Sequence, residues 1–282
     1  MDHRSPIVRI FAFVAALFLS ASFAYAEPAE EYFQRGDADV GQGNLTRAIS
    51  DYTKAIKIFP KFAKAYNHRG FVYYKQGNLP QAISDYAKAI DIDPNYASAY
   101  NNRGLAYYNQ GNLSQAFSDY SKAIELDPNY AETYCNRGLA YKNQGNLPEA
   151  ISDCTKAIEI NPKLAEAYNN RGVAYEKQSK LPQAISDFTK AIEINPGYVD
   201  AYCNRGLAYK NQGNLPQAFL DYDKAIEINP KFAVAYNNRG LAYYTAKEYN
   251  KAWLDVHKAK ELGYTVDHKF LDALKEESGR DK

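Results

Sequence analysis

Apolar and polar positions recur along this chain every 34 residues, and the register holds from residue 29 to residue 266. The aromatic, glycine and alanine positions coincide when 63–96 is written above 97–130. The frame gives seven units without insertions: 29–62, 63–96, 97–130, 131–164, 165–198, 199–232 and 233–266. We number positions 1 to 34 within each unit. Fixed-period self-similarity is typical of a fold that stacks one small structural unit.

Each unit predicts two helices joined by a tight turn. In the third unit Tyr100, Gly104 and Tyr107 follow helical spacing and share one face of a first helix. Gly111, at position 15, favours a left-handed helix end. A second helix follows, and Pro128 ends it because the residue before a proline disfavours helical backbone.

Small residues predict close packing between the two helices of a unit. Position 8 is glycine and position 20 is alanine in all seven units, as in Gly104 and Ala116. Position 24 is aromatic in five units, as in Tyr120, and the ring is expected to fill the adjoining space. A single unit does not bury its own apolar face, so neighbouring units must stack.

The unit resembles the tetratricopeptide repeat, which has Tyr at position 4, Gly at 8, Tyr at 11, Gly at 15, Ala at 20, an aromatic at 24, Ala at 27 and Pro at 32. The resemblance covers residues 29–266. It implies an all-α, right-handed superhelical solenoid of seven helix-turn-helix units whose first helices line a concave groove. It also implies that this groove binds proteins or peptides.

The last units depart from the pattern and suggest an end cap. Val266, Phe270 and Leu274 form a helical apolar stripe, so 267–282 is assigned to a capping helix and tail. An amphipathic tail that binds a partner is the alternative.

Ser179 replaces the turn glycine of the fifth unit, and a left-handed non-glycine residue costs on the order of 1 kcal/mol. We therefore expect this turn to be capped differently.

The first 26 residues have a different character and predict a cleaved signal peptide. Arg4 and Arg9 precede an apolar run over 10–19, and residues 24–26 are Ala-Tyr-Ala. The run is short for a membrane-spanning helix, which needs about 20 residues. An uncleaved anchor is the alternative. The prediction is an exported protein, periplasmic or secreted if the source is bacterial, that touches the membrane only if this segment is retained.

Composition removes several functional classes. The chain has 34 basic and 33 acidic residues, a formal net charge of +1, which lacks the basic excess of a nucleic-acid binder. His68, His257 and His268 occupy unrelated positions in the repeat, so no metal site or catalytic triad is expected. No hydrolase or phosphate-binding motif is present, and we expect no cofactor.

The three cysteines are expected to be free thiols. Cys135 and Cys203 occupy position 5 two units apart, farther than the ~6 Å Cα separation that a disulfide tolerates. Cys154 replaces the aromatic residue at position 24, which predicts a buried, small apolar side chain.

Two charged series accompany the repeat. Position 7 is always arginine and position 23 is always aspartate. An arginine beside the packed glycine is partly buried and needs an acceptor, so we expect Arg–Asp pairs inside or between units. A ladder of arginines that binds anions is the alternative, and the equal number of aspartates argues against it.

The family resemblance places the groove at positions 2, 5, 6, 9, 12 and 13. Position 6 carries an asparagine in five consecutive units, and an amide row of this kind is able to bond the backbone of an extended peptide. The candidate groove residues are Asn102, Asn136, Asn170, Asn204 and Asn238, with Tyr74, Tyr108, Lys142 and Lys210 from position 12. The alternative is that these asparagines are merely solvated or are bonded to a neighbouring helix.

A sharper motif of the family is missing. Its carboxylate clamp requires Lys at position 5 and Asn at position 9, whereas Leu105 and Leu139 occupy position 9 here. Binding of a C-terminal carboxylate is therefore disfavoured.

We expect an exported, non-catalytic adaptor that binds a protein or an extended peptide. The alternative is an architectural component of a cell-envelope complex that self-associates through its outer side or its ends.

Overall fold

The structure, a computed structural model, describes residues 27–279, which contain fifteen helices and no strand. The predicted signal peptide and its cleavage site lie outside the described residues. From here on the 34-residue segments are called repeats. The chain divides into two larger compact units: the first unit ends at Asn129, and the second unit begins at Tyr130. Each is built of helix pairs, which confirms the predicted all-α repeat architecture.

The helices follow the 34-residue frame. The first unit contains α1 (27–41), α2 (Leu45–Ile58), α3 (Ala63–Lys75), α4 (Leu79–Ile92), α5 (Ala97–Asn109) and α6 (Leu113–Leu126). The second unit contains α7 (Ala131–Gln144), α8 (Leu147–Ile160), α9 (Ala165–Lys177), α10 (Leu181–Ile194), α11 (Val199–Asn211), α12 (Leu215–Ile228), α13 (Ala233–Thr245), α14 (Tyr249–Glu261) and α15 (His268–Ser278).

The local sequence explains where these helices end. Gly111 has a φ of 85°, and the amide of Asn112 after it donates to the carbonyl of Tyr107 at 2.8 Å. Proline occupies the first turn of α4, α8, α10 and α12, where its missing N–H costs no helical hydrogen bond. Asp127, which precedes Pro128, has extended backbone and closes α6.

The turn of the fifth repeat contradicts the sequence expectation of a different cap. Ser179 adopts a φ of 59°, and the Lys180 amide donates to the Tyr175 carbonyl at 2.9 Å, as in the glycine turns. Lys247 has a φ of 60° in the seventh repeat. The short connection to the second helix requires a left-handed residue here, so the fold accepts the strain of a side chain.

The Arg–Asp pairs are confirmed and lie inside the repeats, where each joins a first helix to its own second helix. Arg103 donates from Nε and Nη2 to both carboxylate oxygens of Asp119, each at 2.8 Å. Arg171 also reaches Thr155 on the preceding repeat at 3.0 Å. The seven pairs are Arg35–Asp51, Arg69–Asp85, Arg103–Asp119, Arg137–Asp153, Arg171–Asp187, Arg205–Asp221 and Arg239–Asp255.

The C-terminal helix α15 packs its apolar stripe on the last repeat. Phe270 and Leu274 are buried in one cluster with Trp253. The Asp267 carboxylate caps the start of α15, and Trp253 Nε1 donates to Ser278 Oγ at 3.0 Å near its end. This helix covers apolar surface that the final hairpin would otherwise expose.

Candidate peptide-binding surface

Side chains at position 6 of the first helices are bonded to the preceding repeat. Asn102 Nδ2 donates to Asn67 Oδ1 at 3.1 Å in the first unit. Asn204 Nδ2 donates to Asn169 Oδ1 at 3.0 Å in the second. The bond joins position 6 of one repeat to position 5 of the repeat before it. It follows that neighbouring first helices lie side by side, as the groove hypothesis requires.

Where position 5 is cysteine, sulfur replaces the amide oxygen as acceptor. Asn170 Nδ2 lies 3.6 Å from Cys135 Sγ, and Asn238 Nδ2 lies 3.4 Å from Cys203 Sγ. Sulfur is a weak acceptor, so these two contacts hold the asparagines less firmly than an amide does.

The asparagine row is therefore partly engaged within the protein. Asn170 is buried, whereas Asn102, Asn136, Asn204 and Asn238 are half-buried. Four of the five asparagines donate one amide hydrogen to a neighbouring helix, which was the alternative given in the sequence analysis. Asn204 Oδ1 accepts no hydrogen bond from residues 27–279, so it remains able to receive an N–H.

A second set of contacts joins the C-terminal ends of the first helices. Asn109 Nδ2 donates to Tyr74 Oη, and Asn211 Nδ2 donates to Glu176 Oε1 at 3.0 Å. Each links position 13 to position 12 of the preceding repeat. Tyr74 and Tyr108 are half-buried, so they present only part of their rings to a ligand.

Lys142 and Lys210 are unusual because they are partly withdrawn from water. Burial lowers the pKa of both amines. Lys142 Nζ donates to Asn170 Oδ1 at 3.2 Å. Lys210 Nζ has no hydrogen-bond partner in the described part of the chain, and the charge of Glu176 opposes the lowering of its pKa. Both amines thus retain N–H groups for an external acceptor.

Three bands follow the first helices of the second unit, and the sequence analysis identified only part of one. Position 2 forms an acidic edge of Glu132, Glu166 and Asp200, all exposed. Positions 12 and 13 carry Lys142, Lys177 and Lys210, with Glu176 as an acidic residue among them, and we call this the basic edge. Position 9 between them forms an apolar band of the half-buried Leu139, Val173, Leu207 and Leu241. The signal that could have indicated these bands is the opposite charge of positions 2 and 12 in the fourth and sixth repeats.

The cysteines show no sign of activation. All three are buried and unbridged. Burial raises the pKa of Cys135 and of Cys203 to about 12 and raises the pKa of Cys154 as well. The thiolate is the reactive form, so these groups are inert in the native fold.

Among the residues that the structure describes, no three His, Cys, Asp or Glu side chains cluster in a way that suits a metal ion. Within 27–279 no helix combines the length and the apolar character that crossing a bilayer demands.

Family comparisons agree with this geometry. The family described as TPR repeat matches residues 36–77, 72–111 and 104–145. Two further families, each described as Tetratricopeptide repeat, match 131–164, 165–198 and 199–232, and 221–253. The chain belongs to the tetratricopeptide repeat family. Proteins of this family bind protein or peptide partners and are generally adaptors without catalytic activity.

Solved structures of other proteins share the fold, and the first of them is described as a tetratricopeptide repeat protein. One from Parabacteroides merdae has a TM-score of 0.66 and 23% identity, and the match covers 90% of this chain and 100% of that chain. Pseudomonas aeruginosa pilF has a TM-score of 0.63 and 21% identity, with 71% and 91% covered. The APC/C hetero-tetramer Cut9-Hcn1 has a TM-score of 0.77 and 18% identity, with 87% and 48% covered, so this chain spans about half of it. No curated protein sequence matches the chain.

Proposed function

We propose that this chain is an exported, non-catalytic adaptor that holds a protein or an extended peptide against the first helices of its second unit. The observation that carries the proposal is the pair Lys142 and Lys210. Both are partly buried, and both keep unused N–H groups beside the apolar band. Partial burial removes water from these amines, and an acceptor on a ligand replaces the hydrogen bonds that the water made.

The bands define the chemistry of the partner. Its acidic side chains or carbonyl oxygens face the lysine edge, its apolar side chains face Leu207 and its neighbours, and its basic side chains face the acidic edge. Asn204 Oδ1, halfway across, accepts a backbone N–H. An extended chain presents donors and acceptors alternately and so satisfies both Asn204 and the lysines.

The acidic edge lies near the starts of the first helices and the basic edge near their ends, so these charges also have a structural explanation. Acidic residues at a helix start and basic residues at its end stabilise the helix dipole, usually by about 0.3–1 kcal/mol. That benefit does not require burial, and an exposed lysine would provide it at no desolvation cost. The lowered pKa values of Lys142 and Lys210 therefore favour a role in binding over a role in helix stability alone.

Site-specific photo-cross-linking tests this surface. A photoreactive residue at Leu207, on the apolar band, is expected to capture a partner in cells, whereas the same residue at Ser186, exposed on α10, is not. The double variant Lys142→Gln, Lys210→Gln is expected to reduce capture at Leu207 at least severalfold. The matched control Lys156→Gln, Lys190→Gln changes exposed lysines of second helices and should leave capture unchanged. Equal capture at both sites would refute the proposal.

Export is proposed from the leader sequence. Its basic start, apolar run over 10–19 and Ala-Tyr-Ala before Glu27 are the features that signal peptidases recognise. Sequencing the N-terminus of the protein from its native source tests this. A terminus at Glu27 supports export with cleavage, and a retained Met1 contradicts it.

A second candidate function is self-association, which exposed leucines favour. Leu220 and Leu254 are 61% and 70% exposed on α12 and α14, at position 22, where the five earlier repeats carry serine. Sedimentation of the mature chain over a range of concentrations distinguishes this function. An oligomer that dissociates in the variant Leu220→Ser, Leu254→Ser supports it, and a monomer at every concentration excludes it.

A further inference from the structure

The exposed face of α2 carries a row of positive charge that the other second helices lack. Arg47, Lys54 and Lys57 are separated by seven and three residues, so they share one face of the helix. Lys61 continues the row in the turn that follows α2, and all four side chains are exposed. We call these four residues the basic stripe. The charge is local, because the whole chain has a formal net charge of only +1.

Ion pairing distinguishes the basic stripe from the matching positions of the other repeats. Position 26 is lysine in every repeat, and position 29 is acidic in the six later repeats. The two residues form an ion pair in each of those repeats, as Lys122 and Glu125 do at 2.6 Å. In the first repeat Lys57 replaces the acid. Within residues 27–279, Arg47, Lys57 and Lys61 form no ion pair, so no acid in this part of the chain neutralises them.

The aspartates nearest to the stripe do not cancel its charge. Asp51 accepts from Arg35 and from Lys54, the latter at 3.0 Å, so one carboxylate is shared by two cations. Arg35, Arg47 and Lys54 border a shallow depression together with Asp51 and Asp39. Three cations thus meet two carboxylates at this end of the stripe. The stripe therefore stays positive after these acidic neighbours are counted.

Helix stability does not explain these charges. Lys57 lies in the last turn of α2, where a cation interacts favourably with the helix dipole. The second helices of the six later repeats form with an acid at this position, so the fold does not depend on a cation there. Phe62 packs on Phe33 with ring centroids 5.0 Å apart and on Phe59 at 5.9 Å. These rings fix the turn and leave Lys61 exposed to solvent.

We propose that the basic stripe binds the phosphate head groups of an anionic lipid bilayer. Three of its four residues are lysines, whose ammonium groups are point charges on flexible stems and suit a diffuse anionic surface. Clusters of four or more basic residues bind anionic membranes through this attraction. The leader directly precedes the repeat that carries the stripe, so this repeat is the first to emerge beside a membrane during export.

This contact goes beyond the adaptor function. The stripe lies on a second helix of the first unit, whereas the adaptor surface follows the first helices of the second unit. Contact through the stripe requires neither a spanning helix nor a retained leader. It differs in this respect from the sequence expectation, in which the chain touches the membrane only through the leader.

Sedimentation with lipid vesicles tests the proposal. The mature chain is mixed with vesicles of phosphatidylcholine alone, or of equal parts phosphatidylcholine and phosphatidylglycerol, and the bound fraction is measured after centrifugation. We expect binding only to the vesicles that contain phosphatidylglycerol. Raising the ionic strength from about 0.1 M to about 1 M shortens the Debye length from about 10 Å to about 3 Å and should abolish this binding.

A triple variant gives the stripe the residues that the third repeat has at the same positions. The substitutions are Arg47→Gln, Lys57→Glu and Lys61→Asn. The fold already accepts these residues in the third repeat, and melting followed by circular dichroism checks that the variant is folded. The variant neutralises two charges and reverses one. Each charge changes the partition into an anionic surface by about fivefold, so the variant should bind at least about 25-fold more weakly.

A matched control makes the same changes of charge on exposed lysines of the second unit. Its substitutions are Lys163→Glu, Lys190→Gln and Lys231→Asn. The control should bind within about threefold of the native chain. An equal loss in the control and the triple variant would show that net charge acts without the stripe, and it would refute the proposal.

The remaining outcomes are equally decisive. Equal binding by the native chain and the triple variant, or no binding of the native chain to phosphatidylglycerol, refutes the proposal. Retention of the native chain on immobilised polyglutamate without vesicle binding would assign the stripe to an acidic protein and refute the lipid contact. Photo-cross-linking at Leu207 is a separate measurement: its loss with intact vesicle binding refutes the adaptor surface alone.

Discussion

Gly104 and Tyr120 pack so closely that no side chain fits between them. A Cβ built on Gly104 would lie 2.8 Å from Cε1 of the Tyr120 ring. Gly240 occupies the same position in the seventh repeat, yet a Cβ there meets nothing nearer than 3.4 Å because Val256 replaces the aromatic residue. One invariant sequence position therefore carries two different packing constraints.

We predict that Gly104→Ala lowers the free energy of unfolding by about 1–3 kcal/mol, the usual cost of overpacking a core. Gly240→Ala should raise it by about 0.5–1 kcal/mol, because alanine is favoured over glycine inside a helix. Urea unfolding measures both, and Trp253, the only tryptophan, reports on the seventh repeat. Equal effects of the two substitutions would show that the aromatic ring does not set the constraint.

The two left-handed turns without glycine predict a gain on substitution. Ser179→Gly and Lys247→Gly relieve a positive φ that L-residues adopt at a cost. We expect each to stabilise the chain by about 0.5–1 kcal/mol after the greater flexibility of unfolded glycine is included. Gly111→Ser is the reverse control and should destabilise the chain by a similar amount. Thermal melts of the three variants test the prediction.

Tyr222 and Tyr52 share position 24 but differ in how their hydroxyls are bonded. Tyr52 Oη donates to Asp37 at 2.6 Å, whereas the buried Tyr222 Oη has no partner in the described structure. We predict that Tyr222→Phe stabilises the chain by about 1 kcal/mol and that Tyr52→Phe destabilises it by a similar amount. Phe188 at the same position shows that the fold accepts the ring without its hydroxyl. Destabilisation by both substitutions would contradict the assignment.

The repeat architecture was predictable because periodic spacing alone places Gly104 against Tyr120 and Arg103 beside Asp119. Those contacts lie within one repeat and follow from local helix geometry. The turn at Ser179 was predicted wrongly because the residue's intrinsic preference was weighed without the short connection that constrains it.

The binding surface was only partly predictable. The position-6 asparagines were identified, but whether an amide such as Asn204 is free or bonded depends on the distance between neighbouring first helices, which the sequence does not state. The burial of Lys142 and Lys210 likewise depends on the distance between neighbouring first helices.

Thiol reactivity tests the packing of positions 5 and 24. Because burial raises the pKa of Cys135 and Cys203 to about 12, the thiolate fraction of the native protein at pH 8 is far below that of the unfolded chain. We predict that alkylation by iodoacetamide is slower in the native protein by on the order of 1,000-fold. Mass spectrometry counts the alkylated cysteines, and three should appear promptly in urea. Rapid native labelling of any cysteine would show that its repeat opens.

The Arg–Asp pairs of the first and the sixth repeat predict opposite responses to acid. Hydrogen bonds from Arg35 and Lys54 lower the pKa of Asp51 to about 2 from its ordinary 3.8. Burial raises the pKa of Asp221, against the opposing hydrogen bonds from Arg205. Both aspartates are 5% exposed, and Asp51 differs in having a second cationic partner, Lys54.

The sign of each effect on stability follows from linkage. A carboxylate with a lowered pKa stabilises the fold above pH 3.8, and this contribution is lost as the pH falls toward 2. A carboxyl group with a raised pKa binds its proton more readily when folded, so its contribution grows as the pH falls from neutrality. Relative to Asp51→Asn, the native chain should therefore lose its advantage between pH 4 and pH 2. Relative to Asp221→Asn, it should gain as the pH falls from neutrality toward 3.8. Urea unfolding across this range tests both, and parallel curves for the two variants would contradict the assigned pKa directions.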